Sequence, residues 1–482
     1  MNKKIRTRFA PSPTGYMHVG GIRTALFAWL VAKQSDGVFA LRVEDTDKAR
    51  EVEGSIEHIA KSLDWLGLER DEGPFAGGDY GPYLQSQRIE SYKEWATKLY
   101  KEGKAYADPY SAEEVQAFRE QAQAAKKPFL YRNHRPENPP EWDGSQPLRL
   151  KIEVTDKVHW HDEVRGDLSA GADSLDDFIL MKADGYPTYN FAHIVDDYNM
   201  EITHVIRGEE FISSTPKFIK LYEALGFEIP KLITVPPILG SNGGKKLSKR
   251  DGAKDVLDYG VDGYLPEALL NYLASLGWND GTEQEIFTTD ELIEKFSIDR
   301  IQQSGAKWDL DRMTWMNGHH IRNKPLDELY GMIDRKYWPS ESEFNNGEPF
   351  DEAYEKQILG LVQEKLKKFD ELEEAVEIFC KRLPLDTKLA TKDFDALTAA
   401  DIIDDIENNV LSKIDEFTSE SIEKALRTYV EDKDLHTGKV FKLIRLTACR
   451  KPVAPGLFET LEALGQSEVS IRLNTAQAEL RV

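Results

Sequence analysis

The sequence predicts an α/β fold, an open parallel sheet carrying an insertion, followed by an extension built of helices. Three observations predict it. Strand and helix patterns alternate through roughly the first hundred residues, a compositionally distinct stretch then interrupts them, and helical spacing dominates beyond about Asp251. Ile5 to Ala10 reads as a short strand, and after a Pro/Gly-rich turn Ile22, Ala25, Leu26, Trp29 and Leu30 recur at helical spacing. Phe39, Leu41 and Val43 then alternate with Arg42 and Glu44 as a second strand, with a helix around Ser55 to Leu66 behind it. In such a sheet, ligands sit at the carboxyl ends of the strands.

From about Ala105 to Asp173 the composition changes. A Gln/Ala/Lys-rich helix, Glu113 to Lys127, precedes the Pro-rich stretch Arg135 to Pro147, which reads as an insertion into the α/β domain. The apolar strands Thr203 to Ile206 and Leu232 to Val235 resume the sheet, with a helix near Pro216 to Leu225 between them. Further helices are expected over Leu265 to Leu276, Asp327 to Tyr337, Tyr354 to Phe379, Ala400 to Val410 and Ser419 to Val430. The resulting division is residues 1–105 with 174–240 as a split α/β domain, 106–173 as the insertion, 241–325 as a helical domain, and 326–482 as a second helical region.

Composition narrows the function classes. The chain has 482 residues, more than one hydrophobic core usually supports. No run of about 18 apolar residues occurs and the N-terminus lacks the apolar stretch of a signal peptide, so a soluble cytoplasmic protein without membrane contact is expected. Cys380 and Cys449 are its only cysteines, which excludes a disulfide framework and any zinc site built on several cysteines. Lys plus Arg total 62 against 85 for Asp plus Glu, a net charge of −23 that argues weakly against a polyanionic partner. Yet His436 to Lys451 holds Lys439, Lys442, Arg445, Arg450 and Lys451 and no acid, so a basic face on an acidic body stays open beside the alternative of a solvated surface segment.

Two motifs point to phosphate chemistry. Pro11 to Gly21, PSPTGYMHVGG, lies between the first strand and its helix, where backbone N–H groups and the helix dipole can receive a phosphate. Gly20 and Gly21 permit close approach, and the His18 imidazole can donate to a phosphate oxygen in the transition state. Lys246-Leu247-Ser248-Lys249-Arg250, preceded by Ser241-Asn242-Gly243-Gly244, places three cations on a glycine-hinged loop able to neutralise a leaving pyrophosphate. Taken alone, the first is more often an ordinary turn with a capping histidine and the second a solvated loop. Their pairing is what informs.

PSPTGYMHVGG resembles the "HIGH" motif and KLSKR the "KMSKS" motif of class I aminoacyl-tRNA synthetases, in the forms found in glutamyl-tRNA synthetases of the bacterial type. The similarity extends to RVEDTD at Arg42 to Asp47, GYPTYNFAHIVDD at Gly185 to Asp197, HVIRGEEF at His204 to Phe211, ALLNYLASLGW at Ala268 to Trp278 and, more weakly, GLFETLEALG at Gly456 to Gly465. It implies a Rossmann-type catalytic domain, an acceptor-binding α+β insertion at 106–173, a stem-contacting domain at 241–325 and an all-α anticodon-binding region at 326–482. The implied activity is glutamate-tRNA ligation, with glutamyl-adenylate formed at the expense of ATP and passed to the terminal adenosine of tRNA(Glu). Whether tRNA(Gln) is also accepted stays open. A monomer is implied.

Glutamate presents two carboxylates and one ammonium, so its pocket needs at least one buried arginine and an acid. Arg8, Glu44 and Arg207 each end a strand at the ligand-binding rim; an ion-pair network of the three with one another is the alternative. By the resemblance, Arg8 would grip the side-chain carboxylate beside Ala10 and Ser12. Glu44 would hold the α-ammonium, and Tyr189, Asn190, His193 and Arg207 would complete the pocket. Thr14, His18, Gly20 and Gly21 would meet the ATP phosphates, Glu210 and Leu239 the nucleoside, and Lys246, Leu247, Ser248, Lys249 and Arg250 the departing pyrophosphate. His18, Lys246, Lys249 and Arg250 are thus the catalytic set. Magnesium would accompany ATP without a dedicated protein cage. Some relatives carry a zinc knuckle in the insertion, but Tyr106 to Tyr110 and Tyr131 to His134 offer no cysteine, so no zinc is expected. Stacking by Phe441 with Lys439, Lys442 and Arg445 on phosphates is the expected tRNA contact. A glutaminyl-tRNA synthetase would carry an acid where Ser12 stands and β-barrels in place of the C-terminal helices. A truncated tRNA-modifying paralogue would end near residue 300, and a non-catalytic RNA-binding derivative would have lost His18, Lys249 or the pocket arginines.

Overall fold

The computed structural model describes residues 4–154, 156–247, 254–340 and 351–482. They fall into two compact units, one of Met1–Val261 with Pro266–Leu310, the other of Asp262–Leu265 with Asp311–Val482.

The first unit opens with β1 (Arg6–Phe9), α1 (Val19–Gln34) and β2 (Val38–Leu41). Helix α1 is apolar almost all round, and a helix with no polar face has to be buried on every side; Ile22, Ala25, Leu26, Phe27, Ala28 and Leu30 are fully enclosed. β1 and β2 pair in parallel with Arg8 opposite Ala40. Next come α2 (Ser55–Trp65), α3 (Ile89–Lys101), β3 (Ala105–Ala107), α4 (Ala112–Ala124), β4 (Leu148–Leu150), β5 (Lys157–Asp162), β6 (Gly166–Gly171) and β7 (Ile179–Met181). β3, β4 and β7 form a three-stranded antiparallel sheet, and β5 and β6 a hairpin. Helix α4 buries no side chain and is started by a capping box between Ser111 and Glu114.

The chain then returns to parallel strands with α5 (Tyr189–Asn199), β8 (His204–Gly208), α6 (Thr215–Leu225) and β9 (Lys231–Val235). The expected single sheet is present as two parallel pairs, β1 with β2 and β8 with β9. A bond from Thr203 N–H to Arg6 O at 3.0 Å joins them at one edge. β10 (Ile238–Leu239), α7 (Val256–Val261), α8 (Pro266–Ser275), α9 (Thr289–Lys295) and β11 (Ala306–Lys307) follow. The 106–173 stretch does not contain the whole antiparallel sheet, which runs from Ala105 to Met181.

The second unit is helical among its described residues: α10 (Leu310–Asn323), α11 (Leu326–Met332), α12 (Glu352–Val362), α13 (Leu372–Cys380), α14 (Thr387–Ala390), α15 (Ala396–Asn409), α16 (Ser419–Asp432), α17 (Thr437–Ile444) and α18 (Leu457–Leu480). The single helix expected over Tyr354 to Phe379 is broken between α12 and α13. The interruption carries no proline or glycine; tertiary contacts make it. Lys367 O accepts from Asn317 Nδ2 at 2.6 Å, and Phe369 N–H donates to Gly263 O at 3.1 Å, so both backbones leave the helical ladder for partners elsewhere. The helix expected over Asp327 to Tyr337 likewise stops at Met332, and Asp334 caps a single 3₁₀ turn, Arg335–Tyr337.

Candidate functional site

The carboxyl ends of β1, β8 and β9 and the loop before α1 enclose a cavity of about 590 Å³. Thirteen residues proposed from sequence line it: Arg8, Ala10, Ser12, Thr14, His18, Gly20, Gly21, Glu44, Tyr189, Arg207, Glu210, Lys246 and Leu247. Three others do not. Asn190 lies outside the lining, His193 packs behind Tyr189 with ring centroids 4.7 Å apart, and Leu239 pairs with Lys246 across an antiparallel bridge while its neighbour Ile238 lines the wall. Ser248, Lys249 and Arg250 lie outside the described residues.

One end of the cavity is lined by the start of α1 and by Lys246. His18 caps α1, its Nδ1 accepting from Gly20 N–H at 3.1 Å. A Cβ on Gly21 would come within 2.7 Å of the Met17 side chain, so glycine there keeps the first helical turn open. Lys246 reaches the same region from the hairpin that leaves β10, where Leu247 N–H donates to Ile238 O at 2.8 Å, and its ammonium sits 3.0 Å from Glu210. Arg23 from α1 fastens this end: it donates to the carbonyls of Leu276 and Pro236, and burial lowers its pKa to about 10 against the pull of Glu210.

The other end is built from charges buried in pairs. Asp197 receives Arg8 through Nε at 2.9 Å and Nη2 at 3.2 Å, and Arg42 Nη1 at 2.7 Å. Burial alone would favour its neutral form, but the two guanidinium groups hold the carboxyl well below the usual carboxylate range. Arg42 also meets Glu44 at 3.2 Å and Asp196 at 3.8 Å, and Asp196 in turn takes Arg88 at 2.6 Å. Glu44 shows the opposite balance: burial pushes it up to about 7 in spite of Arg42 and Arg8. The ion-pair alternative is therefore half true. A network exists, but its hub is Asp197, and Arg207 stands outside it. Arg207 has no salt bridge among the described residues; its guanidinium lies 5.1 Å from the Phe218 ring and 5.8 Å from that of Phe211, touches Thr215 Oγ1 at 3.4 Å, and is pushed down in pKa by burial. Burial also lowers His193 to about 3, so its ring is neutral, bonded through Nδ1 to Tyr189 O at 2.8 Å.

Sequence reasoning missed Arg42, Asp196 and Asp197 as parts of the site, though a signal existed. Tyr189, His193 and Asp197 recur at every fourth residue of α5 and so share one face, while Arg42 and Glu44, two apart on an extended chain, point the same way. Arg23, one turn into α1, carried no comparable mark.

Elsewhere, the stretches Tyr106 to Tyr110 and Tyr131 to His134 are tied by protein groups: Arg149 to Asp108 at 2.6 Å, Tyr106 OH to Asp177 at 2.8 Å, and His134 stacked on Phe118 at 4.2 Å. No cluster of three or more His, Cys, Asp or Glu placed to hold a metal occurs among the described residues. In the second unit, the expected nucleic-acid cations are partly engaged. Lys442 pairs with Asp393 at 2.6 Å and Arg445 donates to Ala454 O and Pro455 O, which leaves Lys439 as the exposed one, while Phe441 packs edge-on against Phe458.

Residues 4–315 match the family described as tRNA synthetases class I (E and Q), catalytic domain, and residues 329–477 match the anticodon binding domain. Over 99% of both chains, the sequence is 41% identical to a glutamate-tRNA ligase of Moorella thermoacetica. It is 39% identical, over 98% of each chain, to glutamate-tRNA ligase 2 of Thermoanaerobacter pseudethanolicus. A crystal structure of a glutamate tRNA ligase from Elizabethkingia meningosepticum in complex with its amino acid superposes with a TM-score of 0.88 at 33% identity, covering 99% of this chain and all of that one.

Proposed function

This chain belongs to the class I tRNA synthetases of the glutamate and glutamine family, and from that premise we propose that it is a glutamate-tRNA ligase using ATP and L-glutamate to charge tRNA(Glu). The observation that carries the choice of amino acid is Arg207: a buried guanidinium with no carboxylate partner among the described residues, on the wall that also holds Arg8, Glu44 and Tyr189. A buried arginine left without an anion is costly, and a substrate carboxylate relieves that cost. Since Arg8 already gives Nε and Nη2 to Asp197, the side-chain carboxylate of glutamate would rest on Arg207 and on Nη1 of Arg8, whose other contact is Ile206 O at 3.4 Å. Glu44 would take the α-ammonium. Glutamine would leave Arg207 unpaired, a mismatch of roughly 2–5 kcal/mol.

Family members use ATP, typically with Mg²⁺. The open first turn of α1 with His18, Gly20 and Gly21, and Lys246 opposite, suit a triphosphate. Magnesium on the phosphates would add charge neutralisation. An α-carboxylate oxygen of glutamate would attack the α-phosphorus in line, breaking its bond to the bridging oxygen and releasing pyrophosphate, with glutamyl-adenylate formed. His18 would donate to the phosphate oxygens, and Lys246, Lys249 and Arg250 would take the charge of the pyrophosphate. The terminal ribose hydroxyl of tRNA would then attack the acyl carbon and release AMP. Residues 106–173 would meet the acceptor end, 241–325 the stem and 326–482 the anticodon, with Lys439 as the leading phosphate contact there. The enzyme would act as a cytoplasmic monomer.

The test is charging of separate glutamate and glutamine tRNAs with labelled glutamate or glutamine. Glutamate on its own tRNA is expected, and glutamate on both would mark an enzyme that needs a downstream amidating partner. Arg207→Met should raise the glutamate KM by at least about thirtyfold while leaving the ATP KM within a factor of about two. No charging of any tRNA would overturn the assignment.

A further inference from the structure

The Lys246-to-Arg250 motif lies far along the sequence from the His18 loop, yet the chain that follows the motif comes back to that loop. Val256 N–H donates to Met17 O at 3.0 Å, and His18 and Asp255 face each other as an antiparallel bridge. Asp255 divides its carboxylate. Oδ1 accepts from Leu257 N–H at 3.0 Å, and Oδ2 lies 2.7 Å from His58 Nε2 on α2. That contact ties α2 to the chain at Asp255.

A face of the His58 ring is also occupied. Its ring stacks on Tyr16 at 4.5 Å and 26°, and Tyr16 belongs to the cavity wall between Gly15 and Met17. Helix α2 is fastened to the same loop at its start, where Ser55 Oγ and Val52 N–H each donate to Pro13 O at 2.9 Å. At its far end it meets α7, where a Cβ on Gly260 would lie 3.0 Å from the Trp65 ring. Helix α2 thus grips both the phosphate-side loop and the segment beginning at Lys254, and His58 is the side chain that touches both.

We propose that His58 is a positioning residue for the phosphate chemistry: by its contact with Asp255 and by stacking on Tyr16, it fixes the His18 loop in register with the chain that leaves the Lys246-to-Arg250 motif. It touches no substrate. The proposal rests on the ligase reading above and deepens it. An isolated ion pair at a protein surface contributes little, so a merely structural His58 would be replaceable without kinetic effect. His58 and Asp255 are only 13% and 19% exposed, and the bridge they brace is the one that carries His18.

The full-length protein tests this with three single variants and the His58→Phe/Asp255→Asn double variant. His58→Phe keeps an aromatic ring over Tyr16 and removes the nitrogen that meets Asp255, His58→Arg offers Asp255 a donor on a planar stacking group, and Asp255→Asn removes the partner carboxylate. In glutamate charging, His58→Phe should lower kcat by about fivefold and raise the ATP KM by a similar factor, with the glutamate KM within about twofold of wild type. His58→Arg should restore both parameters, and Asp255→Asn should add little on top of His58→Phe because the two remove the same interaction. Unchanged kcat and ATP KM in His58→Phe, or failure of His58→Arg to restore them, would overturn the role. An ATP titration of wild type and His58→Phe by calorimetry runs alongside. A wild-type protein that charges no tRNA defeats the ligase reading, whereas the calorimetric difference still decides whether His58 shapes the nucleotide site.

Discussion

Glu44 holds a carboxyl group where burial works against its charge. With a folded value of about 7 against 4.5 in the unfolded chain, its contribution to stability is fully present below about pH 4.5 and is lost as pH rises through 7. Above that pH the ionised group costs the free protein up to about 3 kcal/mol. Glu44→Gln should therefore raise the melting midpoint at pH 8 and leave it nearly unchanged at pH 4.5, while glutamate charging is lost; a midpoint that fell at pH 8 would contradict this. If Glu44 takes the α-ammonium as proposed, the substrate would favour the carboxylate form, and the glutamate KM should rise as pH falls below about 7, by roughly tenfold per unit. That Glu44, Arg8 and Arg207 line one cavity was legible because each stands near a strand end and carries a charge that a glutamate pocket would require. Their states were not, because desolvation and the distances to Asp197 and Arg42 set them, and neither has a trace in local sequence.

At the scale of elements, periodicity sufficed where a helix or strand satisfies its own backbone and one apolar face. β1, β2, α2, α6, β9 and α16 begin and end within a few residues of where their patterns place them. It failed where a distant group outcompetes the ladder, as at Lys367 and Phe369, and where a motif read for chemistry hid an ordinary helix, as in α5 and the GLFETLEALG stretch that opens α18. Gly263 is central to the first failure. Its φ is +84°, and a Cβ there would lie 2.5 Å from the Phe369 nitrogen. Gly263→Ala should destabilise the second unit by about 2 kcal/mol or more, read as a lower urea midpoint at unchanged slope. A midpoint equal to wild type would show that the break between α12 and α13 does not depend on that approach.

The whole molecule carries a net charge of −23 and yet is read as a partner of a polyanion. Binding must then depend on local cations at each contact, and it should be sensitive to salt. Affinity for tRNA(Glu), measured by filter binding, should fall by at least about tenfold between 50 and 200 mM salt, and Lys439→Ala should flatten that dependence slightly. A salt-independent affinity would contradict phosphate contacts as its source. Reducing agents are expected to leave the melting midpoint unchanged, since Cys380 and Cys449 are both buried and neither forms a disulfide.

The sequence by itself determined the alternation of strand and helix, the helical second half and the presence of the PSPTGYMHVGG and KLSKR stretches, because these are local: a period, a turn composition or a short run of side chains suffices to specify them. The tertiary structure decided that Asp197 joins Arg8 to Arg42, that Arg207 faces the cavity without a carboxylate partner among the described residues, and that His58 meets Asp255. Arg8 and Asp197 stand 189 positions apart, and nothing between them repeats. Which buried charge finds which partner is settled only when the sheet and α5 pack together, since burial makes every unpaired charge expensive and leaves few arrangements in which all are compensated.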